Sequence, residues 1–312
     1  MENLIISINV VLPLFIIIVF GYIVRRINLI DDNTLQKMNT VVFKTFLPLL
    51  LFYNVYNTKL EGVFNPKLMS FALLSILIIC LSMCILIPII EKENKRRGVL
   101  VQAIFRSNFV LFGLPIALSL CGEENAGVTS LLIAVVVPMF NFLAVIVLET
   151  FRGGKINLGK IIKGIVSNPL ILSSLCGIIL LLLGIRLPKA IDKSISDMSK
   201  VATPLALFIL GGSFKVSDVK DNIRNILIGT VGKLVVVPSI FIPIAIFLGF
   251  RDAELASLMI MLAAPTAVSS FTMAEQMDAD GELAAQLVVF SSAFSVVTIF
   301  LWIFIIKQLG YI

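Results

Sequence analysis

In the sequence Arg106-Ser-Asn-Phe-Val-Leu-Phe-Gly-Leu-Pro115, an arginine, an asparagine and a Gly-x-Pro group interrupt an otherwise apolar segment. The sequence Leu262-Ala-Ala-Pro-Thr-Ala-Val-Ser-Ser270 interrupts a second apolar segment in a similar way. Proline removes a backbone donor and clashes with the preceding helical turn. Non-helical backbone at membrane depth is tolerated only inside protein or along a water-filled cavity. The two interruptions therefore predict broken helices that meet at an internal site.

The sequence around these segments has the composition of a membrane protein. Of its 312 residues, 59% are apolar and 14% are charged, whereas a soluble domain is roughly 45–50% apolar and about 25% charged. So little polar side chain cannot cover a surface that faces water. We therefore expect a lipid bilayer to surround the chain, and no nucleic-acid partner, because basic loops beside apolar spans are a topological signal.

Apolar runs bounded by charged residues predict ten transmembrane helices, since each needs about 20 residues. The predicted spans are 5–24, 35–56, 68–90, 99–120, 127–151, 161–184, 191–213, 225–249, 254–276 and 283–307. The first span lacks a basic start and a cleavage site, so it is expected to be retained.

Similar short motifs recur in the two halves of the chain. The pairs are Pro48-Leu-Leu-Leu-Phe52 with Pro204-Leu-Ala-Leu-Phe208, Gly113-Leu-Pro115 with Ala264-Pro265, and Phe140-Asn141 with Phe294-Ser295. They predict two five-helix repeats, 1–152 and 153–312. Five is odd, so the second copy would cross the membrane in the opposite direction, as in the inverted repeats of secondary transporters. The predicted fold class is an all-α integral membrane protein with ten transmembrane helices, of which helices 4 and 9 are interrupted and cross.

The distribution of lysine and arginine among the predicted loops indicates the orientation. With the N-terminus outside, the cytoplasmic loops carry 14 of these residues, and the external loops and C-terminus carry seven. This bias predicts a multi-pass protein of the cell membrane with both termini on the non-cytoplasmic side.

The broken helices predict a binding site for an anion. A half-helix that begins at the bilayer midplane presents N–H groups and a positive dipole end. Candidate substrate-binding residues are Asn108, Gly113, Pro115, Pro265, Thr266, Ser269, Asn141 and Arg106. The alternatives are that the prolines merely kink their helices, and that the polar side chains bridge neighbouring helices.

Charged residues inside the spans each need an explanation, because a charge at the bilayer centre is costly. Lys44 and Lys233 are expected to reach the nearest interface or to pair with buried carbonyls. Arg106 lies two residues before Asn108, on a different helix face, and either attracts anions at the cytoplasmic mouth or anchors the helix end. Glu149 and Glu275 are interpreted as solvated charges near span ends, with proton coupling as the alternative.

Several functions are disfavoured by what the sequence lacks. It contains no histidine, the commonest general base and metal ligand. Its four cysteines form no CxxC pair, so neither a metal site nor a disulfide framework is predicted. An intramembrane enzyme would need a nucleophile with a base, or paired carboxylates, at membrane depth. We expect no enzyme activity and no cofactor, and the coupling ion, proton or sodium, stays open.

The sequence resembles the auxin efflux carrier family, through three motifs. They are Pro48-Leu-Leu-Leu-Phe52, Ser107-Asn-Phe-Val-Leu-Phe-Gly-Leu-Pro115 and Ala264-Pro-Thr-Ala-Val-Ser-Ser-Phe-Thr-Met-Ala-Glu275. The resemblance covers essentially the whole chain. It implies a fold like that of bile-acid and sodium/proton carriers, in which helices 1, 2, 6 and 7 form a scaffold and helices 3–5 and 8–10 a transport domain. It also implies that Asn108 contacts substrate and that Pro115 and Pro265 organise the crossing.

The short loop between predicted helices 5 and 6 makes the chain most similar to the bacterial organic-acid permeases of this family. The expected function is secondary active transport of a small organic anion, a mono- or dicarboxylate such as malate or malonate. The expected mechanism is alternating access, with the transport domain sliding or rocking against the scaffold in an elevator manner. A homodimer through the scaffold helices is a further expectation. The alternative functions are a membrane sensor that binds a ligand without transport and, with less support, an intramembrane enzyme.

Overall fold

Helices make up nearly all of the described chain. The computed structural model describes residues 2–57, 65–122, 126–152, 158–215 and 219–312. Within these ranges the only β-type pairing is a single bridge between Ser107 and Thr266. The helices are α1 Glu2–Arg26, α2 Asp32–Val41, α3 Leu47–Tyr56, α4 Pro66–Ile90, α5 Asn94–Phe105, α6 Phe109–Cys121, α7 Ala126–Phe151, α8 Leu158–Val166, α9 Pro169–Leu182, α10 Lys189–Ser213, α11 Val219–Val231, α12 Val237–Phe247, α13 Asp252–Ala263, α14 Ser269–Gln276 and α15 Gly281–Gln308.

Two π-helical segments join consecutive α-helices into longer spans. Val42–Phe46 connects α2 to α3, and Gly232–Val236 connects α11 to α12. Each segment ends two residues before a proline, Pro48 or Pro238. A proline ring clashes with the carbonyl four residues earlier, and a wider π-turn relieves such crowding, so the proline positions account for both segments.

The helices are those of a multi-pass membrane protein. In the described residues, six helices are long and apolar enough to cross a bilayer: Ile8–Arg26, Asp32–Tyr56, Pro66–Ile90, Gly127–Phe151, Val219–Phe247 and Gly281–Gln308. Large apolar side chains face outward from them, and Ile89 is 74% and Phe247 89% exposed. Such exposure is disfavoured in water and favourable in lipid.

Helix also occurs at each of the ten predicted spans, although four of these positions differ from a simple spanning helix. The helix is interrupted between α5 and α6, between α8 and α9, and between α13 and α14. The fourth position is α10, which carries charged residues in its first half. Six helices of the described residues are therefore long and apolar enough to span a bilayer, and the full set of ten spans stays a prediction. The predicted boundary between the repeats, at 152 and 153, falls on a segment, 153–157, that lies outside the described residues.

Glycines allow two helix pairs to approach backbone to backbone. A Cβ on Gly21 of α1 would lie 2.0 Å from the carbonyl oxygen of Phe208 in α10, and one on Gly211 would lie 1.9 Å from that of Ile18. In the pair of α3 and α9, a Cβ on Gly177 would lie 2.9 Å from the carbonyl oxygen of Phe52. Small residues permit such contact between membrane helices.

The interrupted helices form the centre of the molecule. α13 is almost completely buried from Ala253 to Ala263, and α5 is buried from Gly98 to Phe105. The breaks that follow them, 106–108 and 264–268, lie against each other. The two breaks therefore meet deep inside the protein.

Candidate functional site

The two breaks are joined by direct hydrogen bonds. The backbone N–H of Asn108 donates to the carbonyl oxygen of Pro265 at 2.8 Å, and Ser107 pairs with Thr266 in an antiparallel bridge. The N–H of Thr266 donates to the Ser291 hydroxyl of α15 at 3.1 Å. Backbone groups that the breaks release are thus satisfied inside the protein, as membrane depth requires.

Each break also caps the helix that precedes the other break. The Ser107 hydroxyl donates to the carbonyl oxygen of Met261, in the last turn of α13. The Thr266 hydroxyl donates to the carbonyl oxygen of Ala103, in the last turn of α5, at 2.9 Å. The last carbonyls of a helix lack an intrahelical partner. The two helix ends therefore satisfy one another reciprocally.

Removal of one of these caps is expected to destabilise the protein. Thr266→Val keeps the side-chain shape but leaves the buried carbonyl of Ala103 without its donor, at an expected cost of about 1–3 kcal/mol. Unfolding in mixed micelles measures this change. Thr298→Val is the matched control, because the exposed Thr298 hydroxyl bonds only within its own helix, and a change below about 0.5 kcal/mol is expected there. Equal effects of the two substitutions would contradict the capping role.

A small cavity lies beside the crossing. Its volume is about 60 Å³. The polar side of its wall comes from the two breaks and α7, with Arg106, Ser107, Asn108, Asn141 and Ser269. The opposite wall comes from α3, α9 and α10 and is mainly apolar, with Leu47, Leu50, Leu51, Leu170 and Ala206 beside the polar Asn54 and Thr203.

Arg106 provides a positive charge at this cavity. The side chain is 3% exposed, and its guanidinium donates to Asn141 Oδ1 at 2.5 Å and to the Ser269 hydroxyl at 2.8 Å. Further contacts run to Ser270 Oγ at 3.4 Å and Met273 Sδ at 2.9 Å. All four acceptors are neutral. Arg106 forms no ion pair with a carboxylate in the described part of the chain.

Asn108 and the start of α6 add neutral donors to the same wall. Asn108 is 7% exposed, and its Nδ2 is buried with no hydrogen-bond partner among the described residues. Its side chain does not cap α6, and the first turn of α6 lines the cavity at 109–111. Unpaired donors at a helix N-terminus favour an anion.

The structure brings four of the eight predicted site residues to the cavity: Arg106, Asn108, Asn141 and Ser269. Thr266 is 1% exposed and holds α5 through Ala103 instead. Pro265 contributes its carbonyl oxygen to the crossing. Gly113 lies in α6 about one turn after the residues that line the cavity, and a Cβ there would lie 3.0 Å from the Phe109 ring.

The prediction that Gly113-Leu-Pro115 breaks helix 4 is wrong. The break occurs at 106–108, and Pro115 lies inside α6, beside a separate cleft with Pro13 and Leu111. Pro115 removes only one hydrogen bond in the helix, whereas Ser107 and Asn108 are held by partners on the other break. The expectation of different faces for Arg106 and Asn108 is also wrong, because the chain is not helical between them.

Two residues at the crossing were not predicted as site residues. Ser107 lines the cavity, and Lys233, which is 1% exposed, donates from Nζ to the Ser107 hydroxyl. Ser107 is adjacent to Asn108 in the predicted motif, so the motif itself was the available signal. Lys233 lies far away in the sequence, and only its costly position inside a span marked it.

Acidic side chains lie away from this cavity. Glu149 pairs with Arg152 at 3.2 Å near the end of α7, and Glu275 lines a different cavity. In the described residues, no group of three His, Cys, Asp or Glu could hold a metal ion. Among the described residues, the charged side chains at the crossing are therefore cationic, which suits an anionic ligand.

Comparisons with known proteins agree with a transport function. A family model described as "Membrane transport protein" matches residues 6–303. An uncharacterized transporter of Methanocaldococcus jannaschii is 23% identical over 310 residues, with 95% of this chain and 98% of the relative covered. An uncharacterized transporter of Methanothermobacter thermautotrophicus is 24% identical over 305 residues, with 95% and 97% covered. A Rhizobium meliloti protein named "Putative malonate transporter" is 23% identical over 311 residues, with 96% of each chain covered.

The family match spans nearly the whole chain, and transporters rather than enzymes are its relatives. With the apolar helices it identifies a multi-pass membrane protein that moves a small solute. The chain belongs to the membrane transport protein family, the auxin efflux carrier family that its motifs resemble.

Proposed function

We propose that the protein is a secondary active transporter of a small organic anion, a mono- or dicarboxylate such as malonate or malate. The observation that carries the proposal is Arg106, a buried guanidinium at an internal cavity with only neutral partners. An isolated buried charge is costly. A carboxylate bound beside it would repay that cost, and the N–H groups at the start of α6 would add further donors.

The size of the cavity supports a small substrate. A cavity of about 60 Å³ suits a compact substrate better than a large one. The relative named as a malonate transporter makes malonate a reasonable first probe. Malate has one additional carbon and a hydroxyl group, for which the Ser269 and Asn141 side chains offer hydrogen-bond partners.

The two unlike walls of the cavity support alternating access of the elevator type. Most of the polar lining groups come from the breaks and α7, whereas α3, α9 and α10 supply a mainly apolar wall with Asn54 and Thr203 as its polar members. A substrate held by one group of helices could therefore slide along the other without losing its hydrogen bonds. A second, polar cavity of about 440 Å³ lies between α2 and α10 on one side and α14 and α15 on the other. It forms a recess along the same interface.

Reciprocal contacts support two inverted five-helix repeats. The caps pair Ser107 with Met261 and Thr266 with Ala103, so each break performs the same task for the other. The glycine contacts repeat as well, since Gly21 meets the Phe208 carbonyl and Gly177 meets that of Phe52. Residues 21 and 177, and residues 52 and 208, are both 156 apart, the offset of the two Pro-Leu-x-Leu-Phe motifs.

The remaining parts of the proposal follow from the sequence. The basic-residue bias supports both termini on the non-cytoplasmic side. The exposed apolar faces of the scaffold helices could join two copies, and a proton or sodium ion would couple transport to a gradient.

Asn108→Ala is the substitution that tests the site. It removes a donor from the cavity wall and is expected to reduce uptake of labelled malonate into proteoliposomes about tenfold or more, because hydrogen bonds to charged groups are strong. Asn9→Ala is the control, since Asn9 lies in α1 beside the separate cleft that contains Pro115. Wild-type uptake by a folded Asn108→Ala protein would place the substrate elsewhere. Binding without flux in the wild type would favour a sensor.

A further inference from the structure

The π-helical segment Gly232–Val236 holds Lys233 against the crossing. Pro238 cannot donate an N–H to the carbonyl of Leu234, four residues earlier, and that carbonyl accepts the indole N–H of Trp302 at 3.1 Å. The widened turn is therefore fixed from outside by α15. It directs Lys233 inward, and the side chain is 1% exposed. Lys44, in the other π-helical segment, is exposed instead.

The Lys233 ammonium is separated from the cavity by one hydroxyl group, that of Ser107. Its Nζ donates to Ser107 Oγ, which donates in turn to the carbonyl oxygen of Met261. Ser107 lines the cavity, and Lys233 itself does not. Nζ makes no ion pair with a carboxylate of the described ranges. The ammonium thus lies directly behind the wall that carries Arg106 and Asn108.

Two buried cations therefore flank one small cavity. Arg106 faces the cavity. Lys233 lies behind the cavity wall and is hydrogen-bonded to Ser107, the residue that follows Arg106 in the same break. A singly charged ligand balances one of these charges and leaves the other uncompensated. A doubly charged ligand balances both, and Coulomb interactions are strong where water is excluded.

We propose that Lys233 is a second cationic residue of the anion site, acting by its charge from behind Ser107, and that it makes the carrier select small dianions over monoanions of the same size. This inference rests on the proposed function, because it assumes that an organic anion binds at the crossing. Lys233 is a positioning and selectivity residue, since Ser107 stands between it and the ligand. The substrate class narrows from organic anions in general to dicarboxylates.

Malonate and its monoamide, malonamate, form a matched pair of probes. They have nearly the same size and shape, and at neutral pH malonate carries two negative charges and malonamate one. Inhibition of labelled malonate uptake by each unlabelled compound gives the selectivity of the carrier. The wild type is expected to prefer malonate about tenfold or more. A wild type with no preference would overturn the inference without any variant.

Lys233→Met tests the source of this preference. The variant is expected to bring the two inhibition constants within about threefold of each other, mainly by weakening malonate. Lys233→Arg, which keeps the charge, is expected to restore most of the preference, and Lys44→Met is the control that should leave it unchanged. A folded Lys233→Met protein that still prefers malonate as the wild type does would show that Lys233 is only structural.

The two proposals can fail separately. If neither compound inhibits uptake or shifts the thermal midpoint of the wild type, the organic-anion function fails. If both compounds bind the wild type equally, the function stands and only the role of Lys233 fails. Should Lys233→Met not fold, a wild type without preference between the two probes still overturns the inference, and Lys233→Arg still tests whether the charge at this position maintains it.

Discussion

Arg106→Met is expected to abolish malonate uptake while leaving the protein at least as stable as the wild type. The guanidinium is the only buried cation that lines the described part of the cavity, and losing one partner of a buried charge pair costs about 2–5 kcal/mol. Uptake into proteoliposomes should therefore fall by about 100-fold or more. In the absence of ligand, removing an unpaired buried charge ends its desolvation cost, which offsets the hydrogen bonds that Asn141 and Ser269 lose. The thermal midpoint in detergent should stay constant or rise.

This combination separates a functional arginine from a structural one. Arg26→Met is the matched control, since Arg26 is exposed at the end of α1 and both properties should stay at wild-type values. Arg106→Lys keeps the charge but loses the geometry that reaches Asn141 and Ser269 together, so intermediate uptake is expected. A lower thermal midpoint in Arg106→Met, with uptake reduced only in proportion to the folded fraction, would assign Arg106 to structure alone.

Gly211→Ala is expected to have the largest effect on stability. The added Cβ would lie 1.9 Å from the carbonyl oxygen of Ile18, a backbone atom that cannot move unless α1 and α10 separate. Overpacking usually costs about 1–3 kcal/mol, and a clash with backbone belongs at or above the upper end. Gly21→Ala should act similarly, because its Cβ would meet the Phe208 carbonyl oxygen at 2.0 Å. Unfolding in mixed micelles measures both.

Gly98→Ala provides the control for these variants. A Cβ there would meet Phe151 Cβ at 3.3 Å and Leu148 Cδ2 at 3.4 Å, contacts that small shifts accommodate. Replacing an interior helical glycine with alanine otherwise gains up to about 1 kcal/mol. A neutral or stabilising result is therefore expected. If Gly211→Ala were equally neutral, the close approach of α1 and α10 would not exist.

The positions of the helices were predictable because apolar runs and charged boundaries are local properties of the sequence. Helix occurs at all ten predicted spans, and Pro265 breaks its helix where the sequence predicts. Asn108, Asn141, Ser269 and Arg106 were selected from the sequence as candidate substrate-binding residues; all four line one cavity, and their binding role stays a prediction.

What failed were the positions that depend on contacts between distant segments. Pro115 looked like a break, but a proline inside a helix removes only one hydrogen bond. Ser107 does mark a break, because Met261 and Lys233 engage its hydroxyl. Thr266 looked like a ligand, but its hydroxyl bonds Ala103, 163 residues away. No local pattern distinguishes these roles.

The buried position of Lys233 illustrates the same limit. Lys44 and Lys233 both lie in π-helical segments shortly before a proline, and the sequence offers no reason to treat them differently. The structure exposes the first and buries the second, because α11 and α12 pack among α5, α13 and α15. Only the neighbours decide which lysine becomes part of the site.

The reciprocal caps at the crossing have a mechanical consequence. The C-terminal end of α5 is held by the Thr266 hydroxyl, and that of α13 by the Ser107 hydroxyl. Neither helix can therefore unfold at its break while the other break stays intact. A force that displaces one of these helices acts on the other through the same hydrogen bonds. The crossing of the two breaks is therefore expected to behave as one rigid unit, and to unfold in a single step rather than one helix at a time.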